Sequence, residues 1–148
     1  MHATSLVDRY ATLFYGVVDA AGRTMRYVNA GHVPPVVLRR DGSVDWLETG
    51  GAPLGLFPDW PCEEGVVHLH PGDLVLAYTD GVSEAENASG EMLGVEGLLQ
   101  AASANRARTA DETVQAVMEA LDDFTRGDQA DDASVLVLAP GSTLTHAV

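Results

Sequence analysis

The feature that most limits the possible folds is a change of period part-way along the chain. Before Gly81 the apolar residues fall in short runs broken by glycine, proline and aspartate, the punctuation of strands and tight turns; after it they recur at helical spacing. Residues 12–18, rich in β-branched and aromatic side chains, a turn at Ala20-Ala21-Gly22 and an extended stretch over 24–29 predict a hairpin. A second hairpin is expected from residues 35–40 and 43–47, joined by Asp41-Gly42 as a two-residue turn with both positions at positive φ. Gly50-Gly51 and Pro53 break the pattern, residues 65–70 read as another strand, Pro71-Gly72-Asp73 as a tight turn, and 74–79 as a buried strand. Then come a glycine-weakened helix over 92–102 and a stronger one over 109–124. Thr109 is placed to cap the latter, Glu112 completes a capping box, and Val114, Val117, Met118, Leu121 and Phe124 share one face. An acidic loop at 128–132 leads into a last apolar strand at 134–138, and the tail over 141–148 is expected to fray.

With 148 residues, 46% of them hydrophobic, the chain can build one domain with a true core. Its 22 acidic against 8 basic residues, a formal charge of −14, oppose binding to nucleic acid or an anionic membrane and suit cations or basic partners. The single cysteine, Cys62, cannot close an internal disulfide, and no run approaches the length of a membrane span. A cytoplasmic protein is expected.

Two acidic positions stand at the ends of apolar strands: Asp80 after 74–79, and Asp131 with Asp132 before 134–138. If these strands are antiparallel neighbours, the exit of one lies beside the entry of the other and the carboxylates meet at one sheet edge. Such a cluster suits hard, oxygen-seeking cations such as magnesium or manganese. Turn-forming aspartates give the same pattern, so both readings stand at this point. His68 and His70 share a strand face that suits either solvent or a metal. The Asn29-Ala30-Gly31-His32 loop before Pro34-Pro35 is a good turn as well as a possible site loop, and Trp46 and Trp60 read as packing residues.

Several short segments occur in one order: Thr12-Leu13-Phe14-Tyr15-Gly16; Asn29-Ala30-Gly31-His32; Pro53-Leu54-Gly55; Pro71-Gly72-Asp73 running on to Tyr78-Thr79-Asp80-Gly81-Val82-Ser83-Glu84-Ala85; and Asp131-Asp132-Ala133-Ser134. Over about residues 10–140 this order resembles the sporulation stage II protein E type of phosphatase, a bacterial branch of the type 2C (PPM) superfamily. The resemblance implies an α+β fold, an antiparallel β-sandwich flanked by helices. Residues 10–140 would form the C-terminal portion of the domain, 1–9 an N-terminal extension and 141–148 a frayed tail, with the family's N-terminal half absent.

By the same resemblance Asp80 and Asp131 match metal-binding aspartates of a two-ion manganese or magnesium site, with Gly81, Glu84 and Asp132 beside them and Asn29 and His32 in a nearby loop. The implied chemistry is hydrolysis of phosphoserine or phosphothreonine by metal-activated water without a phosphoenzyme. The implied partner is a small phosphoprotein antagonist of an anti-sigma factor, in bacterial signalling. Without the N-terminal half a bridging carboxylate is missing, so the two-ion site is expected to be incomplete in this chain. Strand edges and apolar surface at 13–18 and 74–77 should then be exposed and favour a homo-oligomer. The alternative is a catalytically inactive phosphatase-like binding module; an unrelated acidic, β-rich metal binder is more distant.

Overall fold

The computed structural model describes residues 10–104, 109–128 and 131–140, and the backbone of 145–147. The expected extension at 1–9 lies outside the described residues.

Two sheets and a helical layer are stacked. The first sheet holds β1 (Leu13–Val18), β2 (Thr24–Ala30), β5 (Gly50–Gly51) and β6 (Gly65–His68). β1 and β2 form the first expected hairpin, with Leu13 opposite Ala30 and Val18 opposite Met25. On the other edge of β2, β6 pairs antiparallel with residues 24–27 and the two-residue β5 pairs parallel with Asn29 and Ala30. The second sheet has the order β4 (Val44–Trp46), β3 (Val36–Leu38), β7 (Leu74–Tyr78), β8 (Val135–Leu138) and β9 (Thr145–Ala147), every pair antiparallel. Helices α1 (Asp80–Ser83), α2 (Gly94–Ala104) and α3 (Ala110–Thr125) complete the chain.

The period-2 alternation of the central strands divides the core in two. Val37 and Val75 point toward the first sheet and join Met25, Tyr27, Leu47, Val67 and Leu69 between the sheets, where Phe14 stacks on Tyr27 at 5.6 Å. Val36, Leu38, Leu74, Leu76 and Tyr78 point the other way, against Leu98 of α2 and Val114, Val117 and Leu121 of α3. Each such aliphatic side chain, fully buried, contributes about 1.5–3 kcal/mol. The capping box of α3 forms as its sequence requires: the Glu112 amide donates to Thr109 Oγ1 and the Thr109 amide to the Glu112 carboxylate at 2.8 Å.

Three sequence expectations need correction. Residues 74–77 are not exposed, because β7 lies inside the second sheet with both faces covered; Leu74, Val75 and Leu76 are buried. The other expected apolar surface is present, with Leu13, Tyr15 and Val17 on β1 46%, 61% and 50% exposed. Beyond the last β3–β4 pair the Arg39 amide donates to the Ser43 carbonyl at 2.8 Å, so the turn proper is 40–42, and among these only Gly42 takes positive φ (97°). This is the geometry of a turn closed by a left-handed glycine, and within it Asp41 Oδ1 accepts from the Ser43 amide and hydroxyl. In the tail, Thr145–Ala147 forms β9 against β8, while 141–144 and 148 lie outside the described residues. After β7, Asp80 and Gly81 open the short helix α1.

The Pro71-Gly72-Asp73 turn is held by charge. Asp73, 3% exposed, accepts from the His70 amide at 2.9 Å, Arg39 Nη1 at 2.7 Å and the Arg40 amide at 3.2 Å. Arg39 also donates to the His68 carbonyl and to Asp45, joining both sheets through one guanidinium. Burial opposes ionisation of Asp73, but the His70 amide, the Arg39 guanidinium and the Arg40 amide more than offset it and hold its carboxyl below the usual range.

The buried Tyr78 hydroxyl has no hydrogen-bond partner among the described residues. Removing an unsatisfied polar atom relieves its desolvation cost. Tyr78→Phe is therefore expected to be neutral or to stabilise by about 1 kcal/mol. Denaturant unfolding checks this, and a loss of more than about 1 kcal/mol would show that the hydroxyl is satisfied in solution.

Candidate functional site

The site begins where the β7–β8 ladder ends. Tyr78 pairs with Val135, and the ladder runs one residue further: the Thr79 amide donates to the Ser134 carbonyl at 3.1 Å and the Ser134 amide to Thr79 Oγ1 at 3.0 Å. Thr79 is also the residue before α1, yet its hydroxyl makes no cap bond there, since it is engaged across the strands with Ser134 and, at 3.4 Å, with the Asp132 carbonyl. The chain thus leaves β7 directly into α1, with Asp80 as its first residue.

Local hydrogen bonds fix both aspartates. The Gly81 amide donates to Asp80 Oδ1 at 2.9 Å, and the Glu84 amide to the Asp80 carbonyl at 2.7 Å. Across the gap the Asp132 amide donates to Asp131 Oδ1 at 2.8 Å. The two halves touch at Gly81, where a Cβ would lie 2.3 Å from the Asp132 carbonyl oxygen. Only glycine lets the α1 backbone approach this closely.

Asp80 and Asp131 line the same open cavity, of about 660 Å³, together with Gly81, Glu84, Glu86, Asn87, Thr125, Arg126 and Asp128. Asp132 does not line it and acts through its backbone. Glu86, Asn87, Arg126 and Asp128 were not singled out from sequence. Asp128 belongs to the acidic loop visible there, whereas the two residues after α1 and the one after α3 carry no local signal that they converge.

The donor set suits a hard cation, being made of carboxylate and other oxygens without thiolate or imidazole. It is not a closed set: among the described residues no three histidine, cysteine, aspartate or glutamate side chains lie close enough together to hold an ion. The chain therefore offers carboxylates of the right chemistry, and a complete cage needs further ligands.

The remaining candidates lie elsewhere. Asn29 is buried and acts as a clamp, donating to the His32 and Leu47 carbonyls at 3.0 and 3.2 Å and accepting from the His32 amide at 2.8 Å. His32 lines a separate small cavity with Tyr78, Thr79 and Ser134, near the same strand ends but outside the acidic one. His68 meets Thr24 and His70 meets Asp73, so the shared histidine face is used in surface contacts. No described helix is long and apolar enough to cross a membrane.

Comparison with known proteins gives a consistent set of likenesses. A family model described as "Stage II sporulation protein E (SpoIIE)" matches residues 1–140. The phosphoserine phosphatase RsbU of Bacillus subtilis (strain 168) is 29% identical over 82 residues, 55% of this chain and 24% of that protein. The solved structure of the RsbU and RsbW domains of Rv1364c from Mycobacterium tuberculosis superposes with a TM-score of 0.72 at 28% identity, covering 91% of this chain and 38% of the other. The manganese-presoaked phosphatase domain of SpoIIE from Bacillus subtilis superposes with a TM-score of 0.63 at 19% identity, covering 89% of this chain and 58% of the other, a likeness of fold. The chain spans 15–24% of the length of the curated relatives it matches.

Proposed function

Because this chain belongs to the stage II sporulation protein E (SpoIIE) family, we propose that it is part of a metal-dependent phosphatase acting on phosphoserine or phosphothreonine of a regulatory phosphoprotein. The observation that carries the reading is the antiparallel β7–β8 pair, whose ends bring Asp80 and Asp131 into one acidic cavity.

In this reading Asp80 and Asp131 hold manganese or magnesium. A bound divalent pair supplies an acidified water near neutral pH and positive charge at the phosphoryl oxygens. The residues of the chain prepare that chemistry. The Gly81 and Asp132 amides each donate to one carboxylate oxygen and so orient the two aspartates that line the cavity. Glu84, one turn beyond Asp80 and lining the same cavity, would accept a hydrogen bond from a water held there and so orient it. The Gly81–Asp132 backbone contact keeps the two aspartates in register. The substrate class in this reading is a phosphorylated antagonist of an anti-sigma factor.

Since the ligand set is open among the described residues, the isolated 148-residue protein should release phosphate from a small ester in manganese weakly or not at all, and a full-length form carrying the rest of the family domain readily. The exposed face of β1, which pairs with β2 alone among the described strands, should drive self-association of the isolated chain. Sedimentation at micromolar concentration is expected to show a dimer or larger species; a stable monomer with full turnover would contradict both statements. Absence of turnover in the full-length protein with manganese would instead favour a non-catalytic binding module on the same scaffold.

A further inference from the structure

We propose that Arg126 is the residue that binds the phosphoryl group of the substrate in the acidic cavity. The proposal rests on the phosphatase reading for the identity of the ligand, and on three observations for the residue.

The first is the backbone. Helix α3 ends at Thr125, whose hydroxyl donates back to the Leu121 carbonyl, and Arg126 follows at φ 56°, ψ 34°. It is the sole non-glycine with positive φ among the described residues, and Gly127 beside it is also left-handed. A helix C-terminus of this kind favours glycine, and an ordinary L-residue costs about 1 kcal/mol there. An arginine held against that preference points to a use for its side chain.

The second is location. Arg126 lines the cavity with the carboxylates of Asp80, Glu84, Glu86, Asp128 and Asp131, and is its sole basic lining residue among those described. The third is that its guanidinium makes no ion pair with any of them among the described residues. Arg26 and Arg39, by contrast, are paired with Glu64 and with Asp73. An unengaged guanidinium among carboxylates is available for an incoming anion.

The chemistry requires such a group. A phosphate monoester at neutral pH is largely dianionic and is repelled by a mouth of carboxylates. Guanidinium stays charged throughout the working pH range and presents a planar fork that matches two phosphoryl oxygens. A cation at a helix C-terminus also interacts favourably with the helix dipole, so the test must separate stability from recognition.

Arg126→Gly does so, because glycine suits the left-handed position and should leave the melting temperature unchanged or raised. The experiment uses the natural full-length protein in manganese, with a substrate-derived serine peptide and the same peptide carrying a non-hydrolysable phosphonate at that serine. Binding is read by fluorescence anisotropy, and turnover of the phosphoserine peptide is followed in parallel. Arg126→Gly is expected to weaken phosphonate-peptide binding about 10- to 100-fold, to leave serine-peptide binding unchanged and to raise KM more than it lowers kcat. Arg126→Lys should recover part of the loss. Phosphonate-peptide binding that is unchanged in Arg126→Gly overturns the assignment, as does a wild type that binds both peptides equally. If wild type prefers the phosphonate peptide in an Arg126-dependent way but never turns over, the Arg126 assignment holds and the hydrolytic reading fails.

Discussion

Asp80→Asn in the natural full-length protein is expected to lower manganese-dependent turnover about a hundredfold or more, with the melting temperature nearly unchanged. Loss of a residue that merely supports a metal ligand typically costs about 10–100-fold, so loss of a ligand's charge should cost at least the upper end of that range. Folding should be spared because Asp80 is exposed and its one fixed side-chain bond, from the Gly81 amide to Oδ1, can be accepted equally by asparagine. Steady-state rates with a phosphoserine peptide, together with a thermal melt, check both halves. Wild-type turnover in the variant would remove Asp80 from the ion's ligands.

Asp73→Ala carries the largest expected effect on stability. The carboxylate is buried against Arg39 and accepts bonds from two amides, so its loss leaves a partly buried guanidinium without one of its two counter-charges and two amides without their acceptor. Breaking a buried pair in this way costs about 3–5 kcal/mol, or a fall in melting temperature on the order of 10 °C for a chain of this size. The pH dependence has a definite sign. The folded carboxyl is held below its ordinary value of 3.8, so the stability it contributes is fully present above that value and is lost as pH falls through the lower folded value. Melts between about pH 2 and 7 should show a steeper acid limb for wild type than for Asp73→Ala. Parallel curves would mean that Asp73 titrates alike folded and unfolded.

Several features that short-range rules govern were legible from sequence, although the Asp41-Gly42 turn type was not. The capping box of α3 needs only Thr109 and Glu112 at the right spacing, and it forms. The carboxylates were expected to meet if the apolar runs 74–79 and 134–138 were antiparallel neighbours, and β7 and β8 do pair that way. The fold class, an α+β sandwich flanked by helices, followed from the family resemblance, and the change of period agrees with it.

What was missed depends on neighbours distant in sequence. The run of β7 reads as a buried strand and is one; the expectation that 74–77 would be exposed came from the absence of a covering half, whereas the two cores of this chain already cover both faces. β9 contains Thr145 and His146, which carry no strong strand signal, and its pairing is supplied by the free edge of β8. Arg126 enters the cavity because α3 ends in a left-handed arginine at a position where glycine is the usual expectation, and the turn of the chain that results cannot be deduced from propensity. Nor does the spacing of Glu86 and Asp128 reveal that both border the cavity of Asp80.

The central claim is that Asp80 and Asp131 together hold a divalent cation. Its most direct test is a manganese titration of the natural full-length protein, read as the loss of the free-ion electron paramagnetic resonance signal, for wild type, Asp80→Asn, Asp131→Asn and the double variant. The account predicts saturable binding in wild type, at least about tenfold weaker in either single variant, with little further loss in the double variant because both carboxylates serve the same site. Binding by both single variants that matches wild type would contradict it.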